Sequence, residues 1–399
     1  MLGLGQLRDH DRVLIVEAGR LNAAATFTRS TTATYMNGAG QIATAAANTP
    51  RFEYSPSGVY LGLLIEESRT NLVLQSQTLS NASWLTNSVS ATVSATTFGG
   101  IAYYSVAKTD TNSSKALSQS VASVVSGTVQ TLTFACRAGS STQMGFGLNG
   151  SSTAWGGSSG TTVAIVSGPG TLAQVSGNLG LCNVTGLSTT VDTVISMTRT
   201  YTASETSRVY FYPDSSSSVT SGASNLVTRV QIEAAATSTS YIPTTTATVT
   251  RSADSATIPL TSIRYNASAS TMVMIFDVTW ATSTSTRYVA ALDTSGRFAY
   301  LPSSLTPAMY DSTTILSAGS AITTNTTSKI ASAFSASGMA LSLNGAAAVT
   351  AAFDGTFGAG STTLSIGNVS GSGALNGHIK YLAYYPRARP NADLKALST

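Results

Sequence analysis

Charge is scarce in this chain, and so are the residues that most often do chemistry. Only 10% of its 399 residues are charged, 21 basic and 17 acidic, against a usual share of about 25%. The basic residues are scattered, with no run that could neutralise a row of phosphates, which argues against a nucleic-acid partner. Two histidines, His10 and His378, lie near opposite ends, and two cysteines, Cys136 and Cys182, lie far from both. That excludes a disulfide framework and leaves no zinc-ligand spacing. Cys136 follows Leu132 and Phe134 at alternate positions and reads as a small core residue, with a bridge to Cys182 left open. No apolar run approaches membrane-spanning length, and residues 1–10 lack the basic and apolar regions of a signal peptide. The expectation is a protein made in the cytoplasm, without membrane insertion and without a cofactor.

What replaces charge is hydroxyl. Ser and Thr far exceed ordinary usage, and mean hydropathy is +0.16. Thr and Val suit a pleated, half-buried surface, and Ser and Gly suit turns, so the composition points to an all-β chain. Disorder is excluded because a hydrophobic content of 42% is spread along the whole sequence. The length predicts two or three domains. The expected architecture is two tandem jelly-roll-like β-sandwiches, residues 73–250 and 251–399, preceded by an extended and hairpin segment, residues 1–72.

That first segment holds twelve of the charged residues and too little apolar material for a core of its own, so it is expected to pack on a partner or on the next domain, and residues 1 to about 50 are expected to serve as the attachment segment. Its Asn37-Gly38 dipeptide, between two alternating runs, predicts a hairpin. Further on, Leu132, Phe134 and Cys136 mark one strand. Leu226, Thr228, Val230 and Ile232 alternate with Val227, Arg229, Gln231 and Glu233 in another. In the last part Met272, Met274, Phe276, Val278 and Trp280 form one face of a long strand. Met339, Leu341 and Leu343 lead into the hairpin dipeptide Asn344-Gly345. Pro386 and Pro390 stop the last strand, and Asn391 is placed to cap a short helix that turns Leu394 and Leu397 inward.

The joint between segment and sandwich is Gly62-Leu63-Leu64-Ile65-Glu66-Glu67-Ser68-Arg69-Thr70-Asn71-Leu72. Leu63-Leu64-Ile65 is too short for a helix and reads as a strand buried on both faces. The adjacent carboxylates invite comparison with a glycosidase pair, but successive strand residues point to opposite faces and cannot flank one bond. Glu66 or Glu67 is instead expected to pair with Arg69 or Arg251.

The run Phe27-Thr28-Arg29-Ser30-Thr31-Thr32-Ala33-Thr34-Tyr35, then Ala47-Asn48-Thr49-Pro50-Arg51-Phe52-Glu53-Tyr54, then the joint resembles the opening of a group of tailed-bacteriophage structural and fibre proteins. Thr239-Ser240-Tyr241-Ile242-Pro243-Thr244 and Val249-Thr250-Arg251-Ser252-Ala253-Asp254 follow in the order that group shows. The final part, with Asn344-Gly345, Ile366-Gly367, Asn376-Gly377-His378-Ile379 and Tyr384-Tyr385-Pro386-Arg387, is similar to concanavalin A-like or laminin G-like sandwiches. The resemblance covers most of the chain from about residue 26 and implies a virion component, on tail fibre or capsid, whose sandwiches serve assembly or glycan contact.

Candidate chemistry is sparse. Gly156-Gly157-Ser158-Ser159-Gly160 matches the nucleophile elbow, but it sits in a Gly/Ser loop with no histidine nearby in sequence. Asp277, Asp293, Asp311 and Asp354 could hold calcium on loops, yet no D-x-D-x-D-G loop is present, and ordinary turn aspartates are favoured. Sequons such as Asn81, Asn183 and Asn325 are expected by chance in so hydroxyl-rich a chain. For glycan contact the candidates are Trp155, which follows Asn149 in a stretch of small residues, and the group Tyr300, Tyr310 and Asp311. A flat exposed ring stacks on a sugar face; the alternative folds Trp155 back over the sandwich edge.

The leading expectation is therefore a non-enzymatic structural or adhesion protein of a tailed-phage virion. It would associate with itself, a trimer being the first guess, with other virion proteins through the N-terminal segment, and with cell-surface glycan. A stand-alone lectin is the second reading. A polysaccharide depolymerase is the third, and it lacks both a β-helix repeat and a convergent acid pair.

Overall fold

The computed structural model describes residues 11–111, 116–149, 164–167, 173–177, 182–214, 220–279, 285–293, 296–355, 357–369 and 372–399. They are nearly all β and fall into two compact units. Residues 1–68 and 252–399 form one unit, and residues 69–251 are inserted in its sequence as the other.

In the first unit a nine-stranded and a seven-stranded sheet share a core. Met272, Met274 and Phe276 come from the nine-stranded sheet, and Val289, Phe298, Leu364 and Ile366 from the seven-stranded one. The organising strand is Gly377–Tyr385. Its residues 377–379 pair with 63–65, its residues 381–384 pair with 13–17, and Ser270–Phe276 pairs along it as well. The outer face of this sheet is covered in turn, where Leu394 and Leu397 of the helix Asn391–Leu397 pack with Val273, Ala331, Ala383 and Tyr385. Asn391 is the first helical residue rather than the cap; Pro390 holds the cap position, with no side-chain cap hydrogen bond. Proline fits there because the first turn has no use for its missing N–H.

The N-terminal segment is not a free arm. Val13–Glu17 and Tyr60–Ile65 join the nine-stranded sheet, Thr26–Thr28 adds the last strand of the seven-stranded sheet against Ser255–Pro259, and Ile15, Val16 and Phe27 enter the shared core. Its apolar residues are too few to enclose a core but enough to complete one. The joint strand is buried on both faces as its sequence implies, with Leu63, Leu64 and Ile65 each 3% exposed or less. Each such side chain contributes about 1.5–3 kcal/mol through burial. Gly62 is required there: its φ is 139°, and a Cβ would sit 2.8 Å from the Ile379 carbonyl.

Of the two expected hairpin turns, Asn344-Gly345 has the anticipated geometry, with φ of 49° and 75° at the two residues. The Asn37 turn does not use Asn37-Gly38 in that way. The strands Ala33–Met36 and Ile42–Ala45 are linked by a longer loop in which Gly40 takes the positive φ, and Asn37 Oδ1 accepts from the N–H groups of Ala39 and Gln41.

The second unit packs two six-stranded sheets face to face. Leu132, Phe134 and Cys136 project into its core from Val129–Ala138, and Phe146, Cys182 and Phe211 meet them from the opposite sheet. Both cysteines are buried and neither is in a disulfide, the Cys182 thiol lying 3.5 Å from Met197 Sδ. Burial pushes the Cys136 thiol well above its ordinary range, which makes it inert. The strand Ser224–Glu233 departs from the simple alternation read in sequence. Arg229 adopts a φ of 56°, the register against Val129–Ala138 shifts there, and the core side chains are Val227, Val230 and Ile232. The bulge moves the inward face by one residue. The first and last strands of this unit, Arg69–Asn71 and Val249–Arg251, pair with Arg69 opposite Arg251.

Candidate functional site

Two clusters of polar side chains stand out in the first unit, and they differ in kind. The first is buried. Arg29 and Arg51, each 1% exposed or less, share Asp254: Arg29 Nη1 donates to Oδ1 at 3.1 Å and Arg51 Nη2 to Oδ2 at 2.5 Å. Arg51 also reaches Glu66 at 2.9 Å, and the Glu66 N–H donates to Asp254 Oδ2. Two cations therefore face two anions, and further donors of Arg29 and Arg51 go to backbone carbonyls at Thr31, Thr34, Ala46 and Thr49. Close by in the same unit, His378 donates from Nδ1 to Asp277 at 2.8 Å and from Nε2 to Glu53 at 2.9 Å. Burial disfavours the charged imidazole, but hydrogen bonds to Asp277 and Glu53 prevail and push it up to about 10. These groups bind one another in a largely buried network. Glu67, on the opposite side of the chain from Glu66, accepts from Asn376 at 2.5 Å and pairs with Arg287 at 3.2 Å. Glu66 is thus paired with Arg51 and Glu67 with Arg287.

The second cluster lies on the face of the seven-stranded sheet turned away from the core. Along this sheet Val289, Phe298, Leu301, Met309 and Leu316 point inward. Tyr288 stands opposite Tyr300, and Arg297 opposite Tyr310, which in turn stands opposite Ile315. These residues make the outer row, in which Tyr300 is only 6% exposed while Tyr288, Arg297 and Tyr310 are half-buried and open to solvent. Arg297 and Tyr300 share it despite their odd spacing because the register shifts between them. The Arg297 Cζ lies 5.3, 5.2 and 5.0 Å from the ring centroids of Tyr288, Tyr300 and Tyr310, within cation–π range of all three. Tyr288 is set in place from behind by Gly373, where a Cβ would come within 2.8 Å of the ring. Burial raises the Tyr300 phenol above its ordinary value against the lowering pull of Arg297, so it stays a neutral donor. Ile315 adds apolar surface at the sheet edge and is 59% exposed.

The structure thus brings together Tyr300 and Tyr310 of the sequence-derived candidates and adds Tyr288 and Arg297. Asp311 is not part of the exposed face. It is fully buried and accepts from the N–H groups of Thr313 and Thr314, shaping the turn after Tyr310. Burial works to raise its carboxyl, but donors from Thr314, Thr313 and Asp354 hold it below the usual carboxylate range. Asn149 ends the strand Met144–Asn149. Trp155, Trp280, His10 and the Gly156–Gly160 motif lie outside the described residues. Of the remaining calcium candidates, Asp277 is engaged by His378, Asp293 by Thr362 and Thr363, and Asp354 by the Thr313 hydroxyl beside Asp311, and no group of three metal-ligating side chains occurs among the described residues. A separate groove of about 340 Å³ beside the C-terminal helix is lined by Phe334, Met339, Thr350, Arg389 and Asn391 among others. Its one cation, Arg389, stacks on Tyr385 at 5.0 Å and reaches Asp393 at 3.6 Å. No helix among the described residues is long and apolar enough to cross a membrane.

No family model matches this chain, and neither does any curated protein. Among solved structures, Trypanosoma rangeli sialidase in complex with the inhibitor DANA is similar over 36% of this chain at 7% identity and a TM-score of 0.31. The chain spans 26% of that sialidase's length. Domain 4 of AbnA, a GH43 extracellular arabinanase from Geobacillus stearothermophilus in complex with arabinotriose, is similar over 37% of this chain and 73% of its own, at 12% identity and a TM-score of 0.30. The binding domain of botulinum neurotoxin DC in complex with SialylT is similar over 36% of this chain and 39% of its own, at 9% identity and a TM-score of 0.28. At such scores these likenesses carry no argument about function.

Proposed function

We propose that this chain is a non-catalytic structural and adhesion component of a tailed-phage virion that contacts surface glycan through the tyrosine face of its first unit. The reading of origin and localisation rests on the sequence segments that resemble phage fibre proteins. The reading of glycan contact rests on one observation: Tyr288, Tyr300 and Tyr310 converge on Arg297 on the outer face of a sheet. Rigid aromatic side chains offer large contact area with little entropy to lose; the Tyr310 hydroxyl already donates to the Ser312 carbonyl, so that ring offers its face rather than its O–H. A glycan array with the purified chain tests this, beside a variant carrying Tyr300→Ala and Tyr310→Ala. Selective binding lost in the variant is the expected result; no binding by the parent chain would remove the adhesion half of the proposal. Sugar-release assays on host envelope test the depolymerase alternative.

Self-association has its own support. The strand Val89–Phe98 is the terminal strand of its sheet, ten residues long, without a charge or a proline. Its sequence repeats Val-Ser-Ala-Thr, and Val93 at its middle is 68% exposed. Long uncharged edges offer free N–H and C=O groups to another strand. A second copy of the same edge is the occupant we favour, a closed trimer being the first guess.

A further inference from the structure

Arg297 is set apart from the ion-paired arginines of its unit by its surroundings: Arg12 and Arg264 also lack a carboxylate partner, but they donate to the Tyr381 hydroxyl and the Asp11 carbonyl. Arg29, Arg51, Arg287, Arg387 and Arg389 each reach a carboxylate. Arg297 makes no ion pair and no hydrogen bond with the described residues; it is held only by the three tyrosine rings. The neighbouring carboxylates are turned to other work, Asp311 to its own turn and Asp293 to Thr362 and Thr363. In a chain with so few charges, this leaves a positive spot on an aromatic surface. Guanidinium is weakly hydrated, stacks on aromatic rings, and keeps a planar fork of N–H donors that matches a carboxylate. Flanking rings shield one side from water, which strengthens any pairing made there. The Tyr288 ring, half-buried and open to solvent, and the more deeply set Tyr300 ring both lie within cation–π range of this guanidinium.

Resting on the proposed glycan contact, we infer that this face is a subsite for an acidic sugar, with Arg297 taking the carboxylate and Tyr288, Tyr300 and Tyr310 the sugar ring. A neutral sugar would use the rings alone and leave the guanidinium unpaired.

The test compares saccharides with and without their charge on the same sugar rings. A panel of uronate- and sialate-containing oligosaccharides is measured beside the methyl ester of each, against the full-length chain. The acid forms should bind about tenfold more tightly than their esters, as expected for a charge-assisted hydrogen bond, and the preference should shrink as salt is raised. Arg297→Gln should abolish the preference without changing the melting temperature. Arg297→Lys should retain part of it, and Tyr310→Ala should weaken acid and ester together. Equal binding of acids and esters, or an acid preference untouched by Arg297→Gln, would overturn the inference while leaving glycan contact intact. Binding to no member of the panel, acid or ester, would overturn both.

Discussion

Arg51 and Asp254 are 203 residues apart in sequence and meet at 2.5 Å, with neither side chain exposed. The pair is the centre of the first unit's internal bracing. Asp254 accepts from Arg29 as well, the Asp254 carbonyl accepts from Asn368, and Arg51 also holds Glu66. Segments from before and after the inserted unit are thus bound by charges that water does not reach. Such a cluster need not be more stable than an apolar one, but removing a single member leaves its partner charged and uncompensated.

Asp254→Asn should therefore cost about 3–5 kcal/mol of stability in the first unit, measured by urea unfolding. Glu66→Gln should be clearly worse than Glu67→Gln, because Glu66 is 4% exposed whereas Glu67 is half-buried at the surface. Equal, negligible losses at Glu66 and Glu67 would show that both are effectively solvated.

His378 makes the stability of the same unit depend on pH in a definite sense. Its folded-state pKa is raised to about 10, above an unfolded value of about 6.5. A group raised on folding stabilises fully below its unfolded pKa, and that contribution is lost as pH rises through the folded pKa. The stability gap between the parent chain and His378→Gln should be widest below about pH 6 and should close as the pH approaches 10. A gap that is constant across this range would mean that the imidazole is neutral in the folded chain.

A shortened chain beginning at Pro56 loses Ile15, Val16 and Phe27 from the core and Arg51 from the charge cluster. It should fail to form the first unit cooperatively, losing the corresponding thermal transition. The second unit, residues 69–251, contains none of these groups, and its transition should persist. Retention of both transitions would contradict the structural role of the N-terminal strands.

A lysine in the middle of an exposed strand edge blocks pairing with another copy at little cost to the fold. Val93→Lys should shift the purified protein toward smaller species in light scattering, and the parent chain's association should resist added salt. A parent chain that is monomeric at both low and high ionic strength would remove the basis for this expectation.

Local pattern was enough for much of this protein. Hydroxyl-rich composition and period-two alternation revealed an all-β chain, Leu132, Phe134 and Cys136 as a core row, Leu63 to Ile65 as a doubly buried strand, and Asn344-Gly345 as a turn. Each depends on residues within a few positions of one another, where backbone sterics and burial act directly. Tertiary structure decided the rest. Arg51 and Glu66 could be recognised as charged, but not as partners of each other and of Asp254, because strand pairing across an inserted unit leaves no short-range trace. The bulges at Arg229 and between Arg297 and Tyr300 reversed faces that alternation alone would assign otherwise. For that reason Tyr300 and Tyr310 were visible as candidates in the sequence, whereas Arg297 and Tyr288 became their neighbours only when three strands were laid side by side.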